Sequence, residues 1–395
     1  MITQAVILCG GLGTRLKPIT NKIPKPMVKL NKKPFILYII EQLKKQRIKK
    51  VLLLTGYLGE KIQTYFGDGS KFGIKISYFN GPVKWDTGRR IWEARDLLNK
   101  EFLLLYSDNF TTINLKKNFI FFKKKKSAIT LTLSSKNPGN IFFNQGNIIE
   151  KFHNKRLKKF SYVEIGYMMV NKKKILKEFD IINCSFNYII KKLSLRHKIS
   201  AIVQEDKYYS ISDKDRMKLA EKYLRPKKIL LIDRDGVINS KSKKGRYLNY
   251  WNDFSFITRT VKSMKKLSSL GYSFIVITNQ AGVARGYTKI DELENIHKNM
   301  INYLYKKGIK ILKVYTCTHG WEDNCNCRKP KPGMLFRASS EFLFRLDQTI
   351  FIGDDDRDMQ AAKSAGCQGI LWKDKKKFLD ISEIINDKKY LHKIN

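Results

Sequence analysis

Two aspartates separated by one residue, Asp233 and Asp235, close the apolar run ILLIDRDGVIN at residues 229–239. A buried strand of this kind projects its last carboxylate into the crevice at the carboxyl edge of a sheet. There Asp233 can attack phosphorus, while Asp235 can protonate the leaving oxygen and later activate water. Mg²⁺ held by Asp233, Asp235 and Asp354 neutralises the crowded charge. The other parts that phosphoryl transfer needs follow in order. Thr278, Asn279 and Gln280 close the next apolar run and can bind the phosphoryl group, Lys329 offers a fixed positive charge, and Asp354 follows the run TIFIG.

Cys317-Thr-His319, five residues and Cys325-Asn-Cys327 form a second constellation. Four N and S donors suit tetrahedral Zn²⁺ in a closed, structural site. Arg328 and Lys329 follow directly, so the metal loop positions the cations. A third lies at the other end, in VILCGGLGTRL at 6–16. Gly10, Gly11 and Gly13 let the backbone approach phosphates and turn N–H groups toward them. Arg15 adds a bidentate clamp, suited to a nucleoside triphosphate.

These motifs need strands that end at them. Buried apolar runs at 4–9, 51–57, 75–79 and 102–108 alternate with helical patterns, as at 34–47. That alternation predicts a mainly parallel sheet with helices on both faces. Strand-rich stretches at 127–133 and 161–170 lead into helical patterns reaching Leu224. Arg225-Pro226-Lys227-Lys228 separates that pattern from a new strand at 229–233. Strands at 273–279, 311–316 and 349–354 then alternate with helices at 258–270, 289–307 and 333–345. The expected organisation is an α/β chain of two domains, 1–226 and 227–375, with a basic tail at 376–395.

At 395 residues the chain is long enough for two cores. No run approaches the roughly 20 apolar residues of a membrane span. Met1 leads straight into ITQAVIL without a signal-peptide pattern, and a cytoplasmic location is the expectation. Lys and Arg number 78 against 35 Asp and Glu, a formal charge of +43. The lysines are scattered among abundant Asn and Ile, with no recognised nucleic-acid module. Compositional drift therefore accounts for the charge better than a specific nucleic-acid partner, although anionic sugar phosphates gain from the field.

GGLGTRLKPIT, PKPM at 24–27, Lys33-Pro34 and the run GYLGEKIQTYFGDGSKFGIKISY at 56–78 resemble the sugar-1-phosphate nucleotidyltransferases over residues 1–224. The resemblance implies a Rossmann-like, GT-A-like domain. It also implies in-line attack of a sugar 1-phosphate on the α-phosphorus of a nucleotide, releasing pyrophosphate. Carried over by residue, Arg15 and Lys25 hold phosphates, and Gly10, Gly11, Gly13, Thr14 and Gly88 lie against the nucleotide. Asp108 holds Mg²⁺, Lys151 grips the sugar phosphate, and Gly166 lines the sugar pocket. Two departures stand out. Ser210 occupies the place of a second metal aspartate, with Asp206 or Asp213 as substitutes. Arg89 and Arg90 interrupt a Gly/Ala-rich run, either as phosphate contacts or as surface charges.

The second half resembles the haloacid-dehalogenase-type phosphatases over residues 228–372, which implies a Rossmannoid domain with a structural zinc loop. TNQAGVARGY and CNCRKPKPGM look like the D-glycero-D-manno-heptose 1,7-bisphosphate phosphatases, and histidinol phosphatases share the zinc loop. Here Arg328 is expected to recognise substrate, and Asp355 departs from the basic or small residue usual at its position. Together the resemblances imply an enzyme that converts a heptose bisphosphate to the 1-phosphate and activates it, with GTP the expected nucleotide. The alternatives are a histidinol-phosphatase-like or other sugar phosphatase carrying a non-catalytic nucleotide-sugar module, and a transferase for another hexose such as mannose 1-phosphate.

Overall fold

The computed structural model describes residues 1–180, 183–242 and 247–372. The tail expected over 376–395 lies outside the described residues. The chain divides into one unit over Met1–Leu224 and another beginning at Arg225.

In the first unit, β1 (Gln4–Cys9) is buried along its whole length, as suits a central strand covered on both faces. It is followed by the short pair β2 (Lys29–Leu30) and β3 (Lys33–Pro34), then α1 (Phe35–Lys45), β4 (Lys50–Thr55), α2 (Gly59–Phe66), β5 (Lys75–Asn80) and α3 (Thr87–Glu93). Next come β6 (Glu101–Tyr106), β7 (Asn109–Phe110), α4 (Leu115–Lys125), β8 (Ile129–Ser135), β9 (Gly139–Phe143), β10 (Ile149–Leu157) and β11 (Tyr162–Asn171). The unit closes with α5 (Lys172–Leu176), α6 (Phe186–Leu195), β12 (Ile199–Gln204), β13 (Tyr209–Ser210) and α7 (Lys214–Leu224).

The main sheet runs β10-β9-β11-β6-β1-β4-β5, with β8 on β11 and β12 on β8. Strands β6, β1, β4 and β5 are parallel. Strand β11 is antiparallel to β6 and to β8, and β10 to β9. The sheet is therefore mixed, not mainly parallel, because β8 to β11 are joined without helical crossovers, and short connections give antiparallel neighbours. Strand β12 lies in the stretch expected to be helical. Its six residues are too few for periodicity to separate strand from helix, and pairing with β8 decides it. Leu8, Leu54 and Leu104 from three parallel strands share a core with Phe186, Ile189 and Leu193 of α6. Each such burial contributes about 1.5–3 kcal/mol.

The second unit contains β14 (Ile229–Ile232), α8 (Thr258–Ser269), β15 (Ser273–Asn279), α9 (Ile290–Lys306), β16 (Ile311–Cys317), α10 (Gly333–Phe342), β17 (Ile350–Gly353), α11 (Asp356–Ala365) and β18 (Gln368–Leu371). Its sheet is wholly parallel, in the order β16-β15-β14-β17-β18. The chain leaves β14 to one side for β15 and reaches β17 on the other. The carboxyl end of β14 is thus a switch point, where ligand crevices form. No helix among the described residues is long and apolar enough to cross a membrane.

Candidate active sites

In the first unit a cleft opens at the carboxyl end of β1. It gathers Gly10, Gly11, Gly13, Thr14, Arg15, Lys25 and Asp108. Gly13 turns the loop at φ 65°, and a Cβ there would stand 3.0 Å from Lys25 Cβ and from Thr20 Cγ2. Lys25 Nζ lies 2.5 Å from Asp108 Oδ2, so the expected phosphate cation and the expected metal carboxylate are paired. Gly11 has open space where a side chain would be.

Two expectations change here. Gly88 does not line this cleft: its N–H donates to Cys184 O at 2.9 Å, and a Cβ would strike that carbonyl. Lys151 lies exposed on β10 in register with Phe142. Arg90 is not a surface charge, and it is among the residues lining the cleft. It is 3% exposed, and its guanidinium donates to backbone carbonyls. Its neighbour Arg89 pairs with Glu93 at 3.3 Å and lies over the Trp85 ring.

Gly166 sits behind the cleft wall, at φ 81°, where a Cβ would stand 2.9 Å from Tyr106 Cδ2. Ser210 is buried opposite Asn109, and its hydroxyl lies 3.2 Å from that of Ser212, which lines the cleft beside Asp108. Neither acidic substitute belongs to the cleft lining. Asp206 is buried against the Thr112 hydroxyl, and Asp213 caps the turn of Arg216. Glu164, not anticipated, accepts from Gly166 N–H. Burial pushes its carboxyl up to about 8, with the charge of Asp108 adding to the effect.

In the second unit, Asp233, Asp235, Thr278, Asn279, Lys329 and Asp354 line one crevice at the strand ends. Lys329 is the hub. Its ammonium lies 2.9 Å from Asp233 Oδ1 and 2.7 Å from Asp358 Oδ1, and it donates to Ile277 O at 2.8 Å. Asn279 fixes it from both sides, accepting from Lys329 N–H at 3.1 Å and donating to Lys329 O at 3.0 Å. Burial raises the Asp233 carboxyl to about 7, with Lys329 opposing and Asp358 reinforcing the shift. Gly236 is required at φ 88°, because any Cβ would collide with the Asp354 carboxylate.

Asp235 differs from its expected role as a metal ligand. Arg234 Nη2 lies 3.0 Å from both its carboxylate oxygens, Asn239 Nδ2 donates at 3.0 Å, and Gln280 Nε2 donates at 2.7 Å. Burial works against this carboxylate's charge, but Arg234 and these donors hold it below the usual range. Arg234 in turn faces His297 Nε2 at 2.9 Å. The carboxylates that converge are Asp233, Asp354 and Asp358. Asp354 Oδ1 is buried without a hydrogen-bond partner, as a metal ligand awaiting its ion is. The residues therefore fit a hard divalent cation. Asp358 escaped notice because it stands in the first turn of α11, where an acidic residue also serves as a cap. Here it does both, accepting from Asp355 N–H at 3.1 Å. The unusual Asp355 is the N-cap itself, clamped by Arg357 at 2.9 Å.

Cys317, His319, Cys325 and Cys327 converge as spaced. Their sulfurs are 3.4–3.7 Å apart, and His319 Nδ1 lies 3.6 Å from Cys317 Sγ and 3.2 Å from Cys327 Sγ. A tetrahedron with metal–sulfur bonds of about 2.3 Å has edges of about 3.8 Å, so the set fits one soft ion. Arg328 Nη1 donates to His319 O at 3.1 Å, tying the expected substrate cation to the loop.

A family model for nucleotidyl transferases matches residues 4–254, and one for polynucleotide kinase 3 phosphatases matches 228–381. The D-glycero-beta-D-manno-heptose-1,7-bisphosphate 7-phosphatase of Pseudomonas aeruginosa is 36% identical over 145 residues, 37% of this chain and 80% of that one. The D-glycero-alpha-D-manno-heptose 1-phosphate guanylyltransferase of Campylobacter jejuni is 39% identical over 173 residues, 43% of this chain and 76% of that one. The crystal structure of HddC from Yersinia pseudotuberculosis shares the first unit's fold at TM-score 0.50 and 21% identity, over 57% of this chain and all of that one.

Proposed function

This chain belongs to the nucleotidyl transferase family and, through its second unit, to the heptose-1,7-bisphosphate 7-phosphatases, and from that premise we propose that it carries out two reactions in sequence. The second unit removes the 7-phosphate from D-glycero-D-manno-heptose 1,7-bisphosphate. The first joins the resulting 1-phosphate to a nucleotide, GTP by its likeness to the guanylyltransferase, giving GDP-heptose and pyrophosphate.

The observation that carries the phosphatase is Lys329 held between Asp233 and Asp358 at the end of β14's crevice. Asp233 attacks the phosphorus, and the phosphoryl oxygens meet Lys329 and Thr278. Asp235, released from Arg234 and carrying a proton taken from solvent, gives that proton to the departing sugar oxygen. It then takes a proton from the water that displaces Asp233 from phosphorus and frees phosphate. Asp233, Asp354 and Asp358 would hold Mg²⁺, which would supply the positive charge that lets phosphate approach three carboxylates. Cys317, His319, Cys325 and Cys327 would hold Zn²⁺, which would fix the loop presenting Arg328 and Lys329.

In the first unit, the Gly-rich loop, Arg15 and Lys25 cradle the nucleotide phosphates. They balance the charge as the sugar phosphate oxygen attacks the α-phosphorus. Asp108, which faces Lys25 in this cleft, is the carboxylate that would hold Mg²⁺ there. Ser210 in place of a second carboxylate favours the alternative of a first unit that binds a sugar nucleotide without making one.

One assay separates these readings. The full chain is given each anomer of heptose 1,7-bisphosphate, or histidinol phosphate, and phosphate release is followed. Each of the four nucleoside triphosphates is then added, with heptose 1-phosphate or mannose 1-phosphate, and pyrophosphate is followed. The expected result is phosphate from the heptose bisphosphate and pyrophosphate with GTP and heptose 1-phosphate. Phosphate release without pyrophosphate from any pair would leave the first unit as a binding module.

A further inference from the structure

Arg90 joins the ends of three parallel strands beneath the Gly-rich loop. Its Nη1 donates to the carbonyl of Thr55, the last residue of β4, at 2.7 Å and to Gly81 O after β5 at 3.2 Å. Its Nη2 donates to Pro82 O at 2.8 Å and, more weakly, to Gly10 O after β1 at 3.4 Å. Four carbonyls thus surround one guanidinium, and among the described ion pairs Arg90 has no carboxylate partner. Gly10 and Gly56 make room for it: a Cβ on Gly10 would strike the guanidinium, and one on Gly56 would lie 2.7 Å from Nη2. These glycines serve a buried cation as well as a phosphate.

The peptides Gly10–Gly11 and Pro82–Val83 are trans. In a trans peptide the carbonyl and the following N–H point in opposite directions. Gly10 O also accepts from Tyr57 N–H at 3.4 Å and Pro82 O from Trp85 N–H at 3.1 Å. Arg90 adds its guanidinium to these contacts, and the carbonyls so held turn the N–H groups of Gly11 and Val83 the other way. Both residues line the cleft, and among the described residues neither N–H donates to a backbone carbonyl. We propose that Arg90 is a positioning residue for nucleotide binding, orienting the Gly11 and Val83 N–H groups into the cleft from below. This rests on the reading of that cleft as the nucleotide site. A lysine cannot replace it, since a point charge lacks the planar fork that holds several acceptors at once.

The test uses the full chain with Arg90→Lys and Arg90→Gln. GTP binding is measured by calorimetry, and KM is measured separately for GTP and for heptose 1-phosphate. Phosphate release by the second unit and thermal unfolding monitor integrity. Both variants are expected to bind GTP at least about tenfold more weakly, the effect of misdirecting donors from a charged ligand. KM for heptose 1-phosphate should change little, and the first unit should still melt cooperatively, at a lower temperature because buried carbonyls lose a donor. GTP binding equal to wild type in Arg90→Lys would overturn the proposal. So would loss of both substrates together with a collapse of the first unit's melting transition, which marks a purely structural part. Wild-type chain that binds GTP but releases no pyrophosphate defeats the transferase reading alone, because the binding comparison still decides the role of Arg90. Wild-type chain that binds no nucleotide defeats both.

Discussion

Lys329 and Asp358 form a 2.7 Å ion pair with only 3% and 1% of their side chains exposed. One lies on the loop after the clustered cysteines and the other in the first turn of α11. Neither is near the other in sequence. Asp233 completes the arrangement, so one ammonium holds two carboxylates in a crevice from which water is largely excluded. Burial lowers the tendency of Lys329 to stay charged, but the two acids more than restore it.

Removing the ammonium leaves those acids facing each other. Lys329→Met is expected to destabilise the second unit by about 3–5 kcal/mol, the cost of an uncompensated buried charge. The double variant with Asp358→Leu should recover part of that loss. Urea unfolding of the single and double variants gives the coupling directly, and strict additivity of the two changes would contradict the pairing.

Asp233→Asn removes the nucleophile while keeping the shape of the crevice. Phosphate release should fall by at least about a thousandfold. Pyrophosphate formation from GTP and supplied heptose 1-phosphate should persist, since the two chemistries use separate strand ends. Residual phosphatase turnover near wild type would refute the nucleophile assignment.

Strand-end chemistry was readable in the chain because parallel strands are buried on both faces. Continuous apolar runs therefore end abruptly at Asp233, Thr278 and Asp354. The cysteine–histidine spacing was readable because all four donors share a short loop. What remained hidden depends on how side chains turn and meet, which residue spacing does not disclose. The orientation of Asp235 is set by Arg234, Asn239 and Gln280, and nothing in a two-aspartate motif says which way the second carboxylate turns. Arg90 looked like a choice between phosphate and solvent, and its carbonyl acceptors come from three separate loops. Gly88 was assigned by resemblance to a nucleotide contact, whereas Cys184, far along the chain, decides its surroundings. The antiparallel strands β9 and β10 carry mixed polar and apolar residues, so their pattern was too weak to stand out.

Glu164 provides a pH test of the first unit. A free glutamate titrates near 4.5, and burial raises this one to about 8. The folded state thus favours the protonated form. That contribution to stability is fully present below about pH 4.5 and is lost as pH rises through about 8. The melting temperature of the first unit should therefore fall from pH 5 to pH 9 more steeply in wild type than in Glu164→Gln. Parallel curves would show that this carboxyl is not held neutral.

The cysteine–histidine set tests whether a metal shapes the phosphatase or merely decorates it. Without an ion, burial pushes the Cys317 thiol up to about 12, so the thiol carries its proton until a metal displaces it. Metal affinity should therefore weaken as pH is lowered. A structural zinc ion of this type contributes on the order of 10 kcal/mol to the folded loop. Purified chain should therefore contain one zinc per molecule by elemental analysis, and Cys325→Ser should contain far less. Because Arg328 and Lys329 follow Cys327 directly, loss of the ion should raise KM for the bisphosphate and lower the second unit's melting temperature. The first unit, which holds none of the four donors, should melt unchanged. Restoring zinc together with Mg²⁺ to chelator-treated wild type should recover the phosphatase, whereas Mg²⁺ alone should not, since thiolate and imidazole donors discriminate against a hard cation. Full phosphatase activity in zinc-free chain would mean that protein contacts alone hold the loop, and that the convergence of the four side chains is dispensable for the reaction.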